Sequence, residues 1–352
     1  MKYRPMPHVG TLPTSCVVQV LQFGGPPIVL KFACASARWS WRCANSLEAQ
    51  RQLIDARSLC AIAASIRASV CWSSQLWPFE LRGCRYIALV AVVRYSGALQ
   101  LAAADLRADK AVVLAAVAQN GFALQYASED LRADRQVVLA AVAQDGHALK
   151  YAAEDMRADK KAVLAAVAQN GQALRHAAED LRADKEAVLA AVAQKGCALR
   201  HAAGYLTTDK QVVLVAVARN GCALQYAAEG MRADKVVVLA AVARNGRALE
   251  FASEDLRADK EAVLAAVAQN GCALRFAANN LQADTEVVLA AVAQSGYALQ
   301  YAAEELRADE AVVHVAVEQN GFAFMYASEA LLGREERISC SVRRTNKQPV
   351  WK

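Results

Sequence analysis

The sequence predicts an all-α fold, an α-solenoid of about ten tandem 25-residue helix–Gly–helix repeats with irregular termini. Three observations carry this. A 25-residue unit recurs along most of the 352-residue chain. Each copy joins helix-period apolar spacing to an Asp at one helix start and a Gly at its end. Apolar residues make up 56% of the chain but aromatics only 7%, so the core is built from small aliphatic side chains.

The unit reads LRADKAVVLAAVAQNGFALQYASED from Leu106. It restarts at Leu131, Met156, Leu181, Leu206, Met231, Leu256, Leu281 and Leu306, giving nine clear copies over 106–330. A weaker copy fills 81–105, with Cys84 in place of the Asp and Ser96 in place of the Gly. Copies 106–130 and 131–155 agree at 19 of 25 positions, the mark of recent tandem duplication.

Within a copy the first helix opens at the Asp, as at Asp109, Asp134 and Asp159. Its carboxylate can accept from the backbone N–H two or three residues on, and its charge suits a helix N-terminus. The helix runs through VVLAAVAQN and is nearly apolar all round, as a helix buried on most sides is. Ala115 and Ala118 form its outer face and permit close approach. Gly121 and its equivalents are expected to stop it by taking positive φ. A second helix, FALQYASEDL, follows with Leu124, Ala127 and Leu131 on one face, and is expected to be partly 3₁₀ because it is short. The Glu129–Asp130 type of pair is expected to end it on a solvated face. One unit alone buries too little, so neighbours must cover it on both sides.

The ends depart from the pattern. Glu310, His314, Glu318, Phe324 and Met325 enter the last copy. Residues 331–352 read as a basic disordered tail, and 1–80 as an irregular or partly disordered region in which 46–72 is the one expected helix. Residues 1–47 contain no acid, which suits a transit-like leader. The broken apolar stretch 17–30 argues against a secretory core.

Charge and cysteine bound the function. Residues 106–330 hold 23 basic and 28 acidic side chains, so the +6 of the whole chain comes from outside the array. A basic nucleic-acid footprint is therefore not expected on the repeats. Ten cysteines without paired spacing do not make a disulfide framework. The expectation is an intracellular, cytoplasmic protein, with organelle import through the acid-free N-terminus as the alternative. The longest apolar runs, such as Val236–Ala243, are far shorter than the ~18 residues of a membrane span.

The unit VVLAAVAQNGFALQYASEDLRADK, with its Val-Leu-Ala-Ala-Val, Asn-Gly, Ala-Leu-x-aromatic and Ala-Ser/Ala-Glu elements, resembles the repeat of the family called domain of unknown function 4116. The resemblance covers 81–330. It implies an α-helical repeat domain and no particular activity.

Comparison among the copies shows where the array tolerates change. One variable column follows the Gly: Phe122, His147, Gln172, Cys197, Cys222, Arg247, Cys272, Tyr297 and Phe322. A second lies three residues on: Gln125, Lys150, Arg175, Arg200, Gln225, Glu250, Arg275, Gln300 and Met325. Residues three apart share a helix face, so stacked copies make a ridge. Its functional reading is a protein-binding surface anchored by Arg175, Arg200 and Arg275; its bland alternative is drift at solvated sites. The aromatic column, Tyr126 to Tyr326, reads as packing at the core boundary rather than as a stacking platform. Cys197 and His201, four apart, suggest a metal pair, but the usual zinc spacings are missing and no metal is expected. Cysteines after the Gly sit at a helix start, where a thiol can be activated, yet no His or carboxylate is arranged around them. The expectation is therefore a non-enzymatic scaffold with an unknown protein partner, no cofactor, and no nucleic acid, membrane or small molecule as its target. The competing expectation puts a catalytic or regulatory activity in 1–80, with the repeats as a recruiting arm.

Overall fold

A computed structural model describes residues 82–328 and Leu331. The expected leader, the helix over 46–72 and the basic tail lie outside the described residues. All regular structure among the described residues is helical. They fall into two compact units, one of residues up to Gln144 with Tyr151–Ala153, the other of Asp145–Lys150 with the residues from Glu154 onward. Within each unit consecutive repeats stack as an α-solenoid, long helix against long helix and 3₁₀ helix against long helix.

Among the described residues every repeat before the last has three helical pieces rather than the two expected. In the first clear copy these are the long helix Lys110–Gln119, the 3₁₀ helix Gly121–Tyr126 and a four-residue α-helix, Glu129–Arg132. The weak first copy has the same three, Arg85–Arg94, Ser96–Leu101 and Ala104–Arg107. The second segment divides because Ala127 is extended, at φ −68° and ψ 156°. Its N–H closes on Leu124 O at 3.1 Å. Ser128 N–H then turns outward to the carbonyl of Arg107 at 2.8 Å, tying one short helix to the previous one. With three residues per turn, Gly121, Leu124 and Ala127 fall on one line, and all three are buried. The Glu-Asp pairs therefore begin the short helices instead of ending a longer one, where their charge meets the positive end of the helix. In one repeat Gly204 and Tyr205 replace that pair, and Gly204–Thr208 is 3₁₀ instead.

The Asp cap forms as expected. Asp109 Oδ1 accepts from Ala111 N at 2.9 Å and Val112 N at 3.2 Å. The stop does not. No described glycine has positive φ. The long helix ends because the next residue, Asn120, is extended at φ −155° and turns its Oδ1 to Phe122 N–H at 2.9 Å. The Gly begins the 3₁₀ helix, and a close approach accounts for it. A Cβ at Gly146, Gly171, Gly196, Gly221, Gly246, Gly271 or Gly296 would overlap a backbone carbonyl oxygen of the next long helix. At Gly321, with no described repeat beyond it, nothing lies within 4 Å. At several of these glycines the backbone N–H also donates across the seam, as from Gly146 to Gln169 Oε1 at 2.7 Å and from Gly246 to Gln269 Oε1 at 2.7 Å.

The core is aliphatic. In the first clear copy Val112, Val113, Ala116, Val117 and Leu124 are wholly shielded, and the pattern repeats. Around it runs an ion-pair ladder that the spacing alone did not suggest. Where a Lys follows the cap, it reaches the cap Asp of the following repeat: Lys110–Asp134 at 2.6 Å, Lys185–Asp209 at 2.6 Å, Lys210–Asp234 at 2.6 Å and Lys260–Asp284 at 2.8 Å. Each of these carboxylates thus serves two elements. In Asp234, Oδ1 caps its own helix while Oδ2 takes the neighbour's ammonium. The Lys210 hydrogen bond, with the backbone N–H of Val237, holds its pKa below the usual 3.8. Thr285 stands where the Lys would be and cannot form this bridge.

Asp234→Ala should cost about 1–2 kcal/mol, a lost cap plus a weak, half-exposed ion pair. Because the folded pKa is depressed, the carboxylate's contribution is full above the unfolded value and is lost as pH falls through the folded one. Urea unfolding of wild type and variant across pH checks this. The gap should hold from pH 7 to about pH 5 and close below the ordinary carboxylate pKa. A gap that widens on acidification would contradict it.

Candidate functional site

The two variable columns both lie on the 3₁₀ helices, where residues three apart share a side. The structure divides them. Gln125, Lys150, Arg175, Arg200, Gln225, Glu250, Arg275 and Gln300 are all exposed. In the post-Gly column Arg247, Tyr297 and, in the last repeat, Phe322 are exposed; Phe122, His147, Gln172, Cys197, Cys222 and Cys272 are half-buried. The close approach at Gly turns these side chains into the seam with the next repeat. Phe122 meets Tyr151 edge-on at 6.1 Å between centroids, His147 meets His176 at 5.8 Å, and Tyr297 meets Tyr326 at 6.2 Å. Gln172 Nε2 donates to Cys197 Sγ at 3.6 Å and Asn245 Nδ2 to Cys222 Sγ at 3.1 Å, while Cys272 Sγ lies 3.8 Å from Ser295 Oγ. Within each unit the ridge therefore narrows to one exposed column beside a packed seam. The aromatic column is half-buried in that seam, at the core boundary.

Long side chains of the exposed column rest on rings. Arg175 Nε donates to His176 Nε2 at 2.9 Å. The Arg200 guanidinium lies 5.7 Å from the centre of the Tyr226 ring, and that of Arg275 lies 4.7 Å from Phe276. Arg247, on the same face, pairs with Glu250 at 3.9 Å. Burial, then the charges of Arg175, His147, Lys150 and His201, push the His176 pKa down to about 4. Burial and Arg200, Arg175 and Arg182 lower that of His201. At neutral pH the His176 ring is uncharged, which leaves its Nε2 lone pair for Arg175.

The Cys197–His201 pair rested on α-helical geometry. Both residues lie in the 3₁₀ helix Gly196–His201, where positions four apart are a third of a turn out of line. Among the described residues no group of three His, Cys, Asp or Glu side chains is placed to hold a metal ion. No helix among them is long and apolar enough to cross a membrane. The Lys–Asp ladder and the Gln-to-Gly hydrogen bonds escaped the sequence reading because they join residues 24 and 23 apart in neighbouring repeats, where no local periodicity marks them.

Comparison with curated proteins and with solved structures gives no match. The family model for the domain of unknown function DUF4116 matches nine times in overlapping windows, from 84–132 and 109–157 to 284–332. Each window spans two successive repeats, and together they cover 84–332, so the chain belongs to the DUF4116 family.

Proposed function

We propose that this protein is a non-enzymatic scaffold that binds a protein partner along the exposed column of its 3₁₀ helices. One observation carries the reading. The core, caps and seam glycines recur almost unchanged, while the column from Gln125 to Gln300 is exposed at every repeat and varied in charge. Residues that leave packing untouched yet differ from repeat to repeat give a stacked array a distinct chemical sequence along one side.

Affinity capture from the source cell tests it with the full chain as bait. A matched bait carries Ala at Gln125, Lys150, Arg175, Arg200, Gln225 and Arg275. The reading expects a stoichiometric partner on the native bait and at least a tenfold loss on the matched one. Equal retention by both baits would remove the column from the function.

A further inference from the structure

The exposed column changes character along the chain: Gln125, then Lys150, Arg175 and Arg200 in three consecutive repeats, then Gln225 and Glu250. Some cations of the array are neutralised in place. The ladder lysines are paired with cap carboxylates, some with a second one, as Lys160 is with Asp184 and Glu186. Arg247, on the same face, is paired with Glu250. Arg175 and Arg200, like Arg275 in the same column, differ from these pairs. Among the described residues neither makes an ion pair. Their contacts are instead with a ring nitrogen of His176 and with the face of Tyr226. Those contacts restrict the long side chains in advance and leave guanidinium N–H groups for a carboxylate fork. The charged groups that act on His176 and His201 are likewise cationic, Lys150, Arg175, Arg182 and Arg200 among them. The repeats carry more acid than base overall, so this strip is a local reversal of sign.

We propose that Lys150, Arg175 and Arg200 form a docking strip for an extended acidic segment of a partner protein, a claim that rests on the scaffold reading and names the partner's chemistry. Packed helices lie about 8–10 Å apart, and an extended chain advances about 3.3 Å per residue. Carboxylates about three residues apart would therefore meet successive repeats. A polyphosphate backbone is the weaker occupant, because three cations on an acidic array neutralise few phosphates.

Fluorescence anisotropy tests this with the full chain and a labelled glutamate peptide of about ten residues, long enough to span three repeats. Wild type should bind it at low ionic strength. Arg175→Gln/Arg200→Gln should weaken binding at least tenfold with an unchanged helical circular dichroism spectrum. Arg247→Gln, which removes a cation already paired, should change it less than twofold. Peptide binding unaffected by the double substitution, or absent from wild type, overturns the proposal. Tighter binding of a thymidine oligonucleotide of equal length, lost in the same variant, also overturns it in favour of nucleic acid. The two readings fail separately. A captured partner that is lost on the matched bait, with no glutamate peptide binding, sinks the strip and leaves the scaffold. Equal capture by both baits sinks the scaffold.

Discussion

Gly221→Ala is expected to destabilise the array by about 2–3 kcal/mol, the cost of overpacking a close seam. The reason is the neighbouring repeat, not the backbone angle of the glycine. The new methyl would overlap the carbonyl oxygen of Ala241, with Asn245 Cβ at 3.0 Å and Asn245 N at 3.1 Å. Two of these three neighbours are backbone atoms, so relief requires moving the long helix Lys235–Arg244 or its end. That shift would disturb the seam side chains as well, since Asn245 donates to Cys222. Gly230→Ala is the matched control. Nothing lies within 4 Å of its added Cβ, and its φ is not positive. There the substitution should stabilise by about 0.4–1 kcal/mol through a less disordered unfolded chain. Urea unfolding of the two variants should move in opposite directions. If Gly221→Ala leaves the midpoint unchanged, the repeats do not approach at this point.

Leu224→Ala is expected to cost about 3–5 kcal/mol, the loss of a fully buried Leu with the cavity it leaves. Leu224 has no exposed surface. Its 3₁₀ helix packs against the long helices Lys210–Arg219 and Lys235–Arg244, so the cavity opens between repeats. Because a solenoid's stability is a sum of unit and interface terms, both interfaces of that repeat should weaken. Gln225→Ala, one residue on and exposed, should stay within about 0.5 kcal/mol. Chemical unfolding of both variants gives the comparison. Equal effects at the two positions would mean that the 3₁₀ helix does not present Leu224 to the core.

Local interactions were legible in the sequence. The period, the extent of the long helix and the Asp cap all depend on residues a few positions apart, and the cap at Asp109 needs only Ala111 and Val112. The line of Leu124 and Ala127 toward the core was likewise readable from spacing. Family membership followed from the same repeated elements.

Tertiary structure decided what depends on residues about 25 apart. Gly221 reads as a helix stop, yet its small size is required by Ala241 in the next repeat. Cys197 and His201 read as neighbours on an α-helix, and the tighter 3₁₀ turn separates them. Phe122 and Gln125 read as one ridge, but stacking draws Phe122 against Tyr151 and leaves Gln125 in solvent. Lys210, to which local spacing assigns no role, joins two helix caps. A chain's local preferences specify each piece, whereas the space left between stacked pieces determines which side chains are sealed in the seam and which remain free to bind.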